Sequence, residues 1–186
     1  MNNQNRVQKF SHIFFVSKEP SRSPFISDIL SFGEKINTLS IKPTKIIISI
    51  SFGNRLLIAW TNNEIKKLTQ SDILEIVDVD PIKQNVLLIG QKEPCIETLV
   101  HWIIHKARND INALVEIQSD FLYTKYSKKL QVLKKTPNGT IKRAKSILQT
   151  LQNTKNICIE DEGILLAGVY LKEIKDYLTE NLGKST

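Results

Sequence analysis

Residues 94–119 read PCIETLVHWIIHKARNDINALVEIQS. Pro94 suits a first helical turn, where its missing N–H is no loss. Ile96, Leu99, Val100, Ile103, Ile104 and Ala107 recur at intervals of three and four, which predicts a helix over about residues 95–108 with one wide apolar face. A strand over Ile111–Ile117 follows, with Glu116 and Gln118 on one face and Val115 and Ile117 on the other. A helix with so wide a stripe, joined to a strand, has to lie on a sheet.

The neighbouring segments supply that sheet. Lys45–Ser51 (KIIISIS) reads as a buried strand, Phe52-Gly53-Asn54-Arg55 as a tight turn, and Leu56–Trp60 as the hairpin partner. Thr69–Asp72 can cap a short element before Ile73–Val79, where apolar and acidic residues alternate, and Val86–Ile89 is a further short strand. Ile157–Ile159 with Ile164–Ala167 looks like a last hairpin. Helical spacing marks Phe25–Leu39, Ile141–Leu151 and about residues 170–182. The expected fold class is a layered α/β domain with a central, mostly antiparallel sheet flanked by helices. Residues 1–24, with Pro20 and Pro24, are expected to form a loose or docking N-terminal arm, and residues 25–186 the domain.

The chain has 186 residues, 41% hydrophobic and 24% charged, with a formal charge of +7. Roughly 70% of the unfolded surface can be buried at this length, so no disulfide or metal staple is needed. No apolar run approaches the roughly 18 residues of a membrane span, and Ile13–Val16 is too short for a signal-peptide core. Cys95 and Cys158 are far apart and outside any CxxC spacing, which supports neither a secreted disulfide framework nor a cysteine zinc site. A cytoplasmic protein is expected, with no membrane partner.

Four groups of residues could carry chemistry. Glu97, His101 and His105 share a helix face at spacings of four; they read either as a hydrogen-bonded set at the core edge or as part of a zinc grip, although the glutamate of an HExxH site is absent. Glu116 and Gln118 share a strand face, read as its solvated side or as a polar site. Glu160-Asp161-Glu162-Gly163 is an acidic strand end, read as a solvated turn or as ligands. Between Phe121 and Asn156 there are nine basic residues and no acidic one, which reads as a solvated lysine-rich face or as a polyanion-binding patch over Lys125–Lys155, with Lys134, Lys135, Lys142, Arg143 and Lys145 as contacts for nucleic acid or another anionic ligand.

The same stretch resembles the class II aldolase/adducin family, whose segment reads roughly K-x-P-S-S-E-x-x-x-H-x-x-I-Y-x-x-R-x-D-x-x-A-V-x-H-x-H-S. Lys92, Pro94, Glu97, His101, Ile104, Arg108, Asp110, Ala113 and Ser119 match it without a gap from Pro94 onward, and Glu162-Gly163 and Gly168 stand where the family has His-Gly and a later Gly. The resemblance implies an acid/base role for Glu97 and places Glu116, Gln118 and Glu162 at the three zinc-ligand positions, each a histidine in the family. Two carboxylates and an amide make a harder donor set than imidazoles. The cofactor expected is therefore none, or a divalent metal other than zinc. The phosphate-binding positions fall near Ile46–Ser49, Ala59–Asn62 and Cys95-Ile96, leaving Ser49, Thr61 and Cys95 as candidate substrate-binding residues. The resemblance also implies a homo-oligomer, a tetramer in the family. The expected function is a degenerate member without zinc-dependent aldol cleavage, kept for binding or assembly. The alternatives are a lyase or isomerase acting on a sugar-derived substrate through Glu97 and a non-zinc divalent metal, and a polyanion binder.

Overall fold

The computed structural model describes residues 10–62 and 68–182. Among these, the strands are β1 (His12–Ser17), β2 (Lys45–Phe52), β3 (Arg55–Asn62), β4 (Ile73–Asp80), β5 (Asn85–Ile89), β6 (Ala113–Gln118), β7 (Gln131–Leu133), β8 (Asn156–Ile159) and β9 (Gly163–Gly168). The helices are α1 (Ile26–Asn37), α2 (Thr98–Ala107), α3 (Asp120–Tyr126), α4 (Ile141–Thr150) and α5 (Leu171–Leu182). These strands join one sheet in the order β1-β5-β4-β3-β2-β6-β9-β8-β7. Every pairing is antiparallel except β1 with β5 and β8 with β7, at the two edges. The layered, mostly antiparallel α/β architecture expected from the sequence is the one present.

Alternation along the central strands sorts side chains between two layers. Ile46, Ile48 and Ile50 of β2 with Val115 and Ile117 of β6 face α1, α3 and α5, where Ile29, Phe32, Leu122, Ile174 and Leu178 cover them. Leu114 of β6 and Leu165 of β9 face the other way, under Val100 and Ile104 of α2 and Ala144 and Ile147 of α4. Ile47, Leu56 and Ile58 lie on that second face beneath Leu99 and Trp102. With both faces covered, β2 is a β-branched run with little period-two alternation.

Three stretches differ from expectation. The helix of residues 95–108 begins later, at Thr98; Cys95–Glu97 form a turn in which the Thr98 N–H donates to the Cys95 carbonyl at 3.0 Å. Within the segment expected to be a loose or docking arm, His12–Ser17 is an edge strand, parallel to β5, with Ile13 packed on the cluster around Leu88 and Trp102. Strand pairing satisfies its backbone polar groups on one side, and its partner lies over seventy residues away in the chain, beyond the reach of local pattern reading. Residues 1–9 of that arm lie outside the described residues. The third difference is the pair α3 and β7, in the stretch where no element was expected before residue 141.

Candidate functional site

The site lies between the sheet and the α2/α4 layer, where the C-terminal end of β6 meets the start of β9. Glu116 sits opposite Ile47 of β2 and Leu165 of β9, and Gln118 opposite Lys45 and Gly163. Their strand face is covered by α2 and α4, so Glu116 is buried rather than solvated. Glu162 enters from the β8–β9 turn. Gly163 holds that turn at φ +149°, where a Cβ would lie 2.1 Å from the Ile117 carbonyl oxygen, so only glycine fits. Glu97 occupies the N-cap position of α2 and is fully buried.

These three carboxylates meet on one guanidinium. Arg143, in the first turn of α4 and fully buried, donates from Nη2 to Glu116 Oε1 at 3.1 Å and to Glu162 Oε2 at 2.7 Å. Its Nη1 donates to the Thr136 carbonyl at 3.2 Å, and its Nε forms an ion pair with Glu97 Oε2 at 3.2 Å without hydrogen-bond alignment. The Gly139 N–H donates to Glu97 Oε1 at 2.9 Å, and Gln118 Nε2 donates to Glu116 Oε1 at 3.1 Å. Gly139 is as constrained as Gly163: its φ is +69°, and a Cβ would stand 2.7 Å from the Ile96 carbonyl oxygen. Lys135 Nζ lies 3.6 Å from Glu162 Oε1 at the rim.

Burial, and then the neighbouring Glu116 charge, push the Glu97 carboxyl up to about 7, against Arg143, Lys45 and the Gly139 N–H. Burial also works against the Arg143 charge, but Glu116, Glu97 and Glu162 outweigh it and raise the guanidinium above the ordinary arginine value. Arg143 therefore stays charged at any pH at which the protein is folded.

A second buried polar group lies beside the first. Ser49 Oγ is 2.7 Å from His101 Nδ1 and 2.9 Å from His105 Nε2, and His105 Nδ1 is 3.1 Å from the Ile111 carbonyl. A carbonyl only accepts, so His105 Nδ1 carries its proton and Nε2 accepts from the Ser49 hydroxyl. Ser49 in turn accepts from His101 Nδ1–H. Both imidazoles are neutral in this assignment, the state that their burial favours. Burial lowers His105 to about 4; burial, with the charges of His105, Lys45 and Arg143, lowers His101 well below its ordinary value.

The sequence-derived candidates fare unevenly. Glu97, Glu116, Gln118 and Glu162 come together. His101 and His105, which share a helix face with Glu97, bond to Ser49 instead. Ser49 is fully buried and its hydroxyl is engaged by both histidines, so it does not face a substrate as expected. Thr61 is half-buried near the end of β3. Cys95 is buried, 3.5 Å from the Thr98 hydroxyl, in a cleft of about 580 Å³ that Lys45 and Trp60 also line. Lys134, Lys135, Lys142 and Lys145 are exposed, but Arg143 is not: the expectation that it contacts a polyanion is corrected, because its charge is directed inward onto three glutamates. The signal that could have placed it was the spacing of Thr140, Arg143, Ala144, Ile147 and Leu151, which puts the one arginine of a lysine-rich run on the apolar stripe of α4.

Zinc does not fit these residues as they stand. Among the described residues no imidazole is bonded into the carboxylate cluster, and one cationic nitrogen already bridges Glu116 and Glu162. Nor, among the described residues, is any group of three or more His, Cys, Asp and Glu side chains arranged to hold a metal ion.

No family model matches the sequence, and no curated protein does. Solved structures do match. An L-fuculose 1-phosphate aldolase superposes with a TM-score of 0.70 at 18% identity, covering 86% of this chain and 82% of the aldolase. L-fuculose-1-phosphate aldolase from Thermus thermophilus gives 0.62 at 19% identity, with 84% and 88% covered. A sugar-phosphate aldolase from Thermotoga maritima gives 0.66 at 14%, with 84% and 89% covered. The chain has the class II aldolase-like fold. Among the described residues no helix is long and apolar enough to cross a membrane.

Proposed function

We propose that this chain is a class II aldolase-like scaffold that does not carry out zinc-dependent aldol cleavage and serves in binding or assembly. The observation that carries this reading is the engagement of Glu97, Glu116 and Glu162 by Arg143, beneath α2 and α4. A general acid or base needs a free oxygen within reach of the substrate proton. Glu97 has one oxygen on the Gly139 N–H and the other against Arg143, with no exposed surface. Its carboxyl, at about 7, is tuned as proton transfer would require, which is the best support for the alternative of an active lyase or isomerase. Inaccessibility weighs more, because a pKa near neutrality also follows from burial beside Glu116 alone.

Assembly would take the form of a homo-oligomer, checked by light scattering across a concentration series. Two buried, free cysteines suit a reducing compartment such as the cytoplasm. The functional test is an assay of cleavage of hydroxylated sugar phosphates with added Zn²⁺. No turnover above buffer is expected; zinc-dependent cleavage that disappears in Glu97→Gln would overturn the reading.

A further inference from the structure

We infer that a cavity on the α1/α5 face of the sheet binds a free α-amino acid with a large apolar side chain. The cavity, of about 390 Å³, lies between the start of α1, the end of β2, the start of β6 and the start of α5. Ala113 of β6 lines it, five residues along the strand from Gln118, so roughly 17 Å of strand separates it from the carboxylate cluster. The two also lie on opposite faces of the sheet. Phe32, Ile50, Ala113 and Leu171, all buried, form an apolar floor within the α1/α5 layer. Phe25 and Tyr170 also line the cavity, 38% and 68% exposed, and leave aromatic surface that an apolar side chain would cover.

Charge selects the ligand. Asp28 lines the cavity from the first turn of α1, and Lys172 and Lys175 line it from one face of α5 at a spacing of three. Among the described residues none of these three side chains forms an ion pair, with one another or elsewhere. Glu173, beside Lys172 on α5, is engaged by Lys155 Nζ at 3.7 Å and the Val169 N–H at 3.3 Å. Ser51 and Asn112 on the wall bond to each other at 3.2 Å, so polar recognition falls to the three charges. A carboxylate and two ammonium groups held apart across an apolar recess match a ligand that carries both signs beside an apolar group. A simple carboxylic acid would satisfy the lysines but bring like charge to Asp28, and a simple amine would satisfy Asp28 but face two lysines.

This ligand deepens the binding role proposed above, on which its functional meaning rests. The cavity itself is independent of the carboxylate cluster: zinc-dependent cleavage would overturn that role and leave amino-acid binding here standing.

The test is isothermal titration calorimetry of the full chain with L-phenylalanine, against 3-phenylpropionate, phenethylamine and glycine. L-Phenylalanine should bind at one site per chain. The three analogues, which lack the ammonium, the carboxylate and the apolar side chain in turn, should each bind roughly tenfold more weakly or worse. Asp28→Asn should abolish the preference for L-phenylalanine over 3-phenylpropionate, and Lys172→Gln with Lys175→Gln the preference over phenethylamine. Asp28 and Lys172 are exposed and Lys175 is half-buried, so these variants should melt close to wild type. No heat of binding at millimolar L-phenylalanine, 3-phenylpropionate binding as tightly as L-phenylalanine, or binding indifferent to all three substitutions would each overturn the inference.

Discussion

Arg143 sits where helix electrostatics oppose it. A cation in a first helical turn faces the positive end of the helix dipole, an unfavourable contact of about 0.3–1 kcal/mol near a surface. Three carboxylates reverse the balance, and arginine serves better than lysine because one planar fork reaches several oxygens at once. The dependence runs both ways: Glu116→Ala removes one partner and leaves the others short of compensation by less than losing the arginine would. Ser49 shows the same logic with neutral groups. Ser49→Ala would leave the His101 Nδ1–H and the His105 Nε2 lone pair without partners in the core, and should lower stability by about 1–3 kcal/mol in urea unfolding. A change under a few tenths would show that the network does not hold these rings. Gly139→Ala should be as costly, through its positive φ and the contact with Ile96. Spacing alone left Glu97, Glu116 and Glu162 in three separate groups, and only the family resemblance made them legible as a set. Arg143 was not, because nine basic residues in one run read as a single surface, and charge composition does not say which member turns inward.

At the scale of elements, α4 is the device that closes the site. Thr140 caps it, its hydroxyl accepting from the Arg143 N–H at 3.0 Å, so the cap and the cation are set by the same turn. Thr140→Ala should cost about 1 kcal/mol. It should also loosen Arg143, visible as faster amide exchange at Gly139, whose N–H is held by Glu97; unchanged exchange there would separate the cap from the site. The strands of the central hairpins were readable because apolar runs bounded by turn residues specify local pairing. The edge strands β1 and β7 were not, since each pairs in parallel with a distant segment and is half-covered, so neither alternation nor a turn announces it.

Over the whole molecule, buried ionisable groups make stability depend on pH with a defined sign. His105 falls from 6.5 to about 4 and His101 also falls on folding, so each takes up a proton when the chain unfolds below pH about 6.5. Glu97 rises from 4.5 to about 7 and acts oppositely, releasing a proton on unfolding between those values. Two histidines outweigh one carboxyl between pH 4.5 and 6.5, so the unfolded chain binds more protons there and stability should fall on acidification across that range. A urea midpoint higher at pH 5 than at pH 6.5 would contradict the assignment of neutral, buried imidazoles. The formal charge of +7 divides at this scale as well: lysines such as Lys134, Lys142 and Lys145 lie outside, while the cation that organises the centre is the one arginine of their run.

The most direct test of the account is the metal content of the full chain purified without chelator, measured together with its melting temperature before and after EDTA. With Arg143 serving as the structural cation, the protein should carry no stoichiometric zinc or other divalent metal, and EDTA should leave its melting unchanged. One equivalent of metal per chain, lost in Glu116→Ala plus Glu162→Ala with a matching drop in melting temperature, would contradict it.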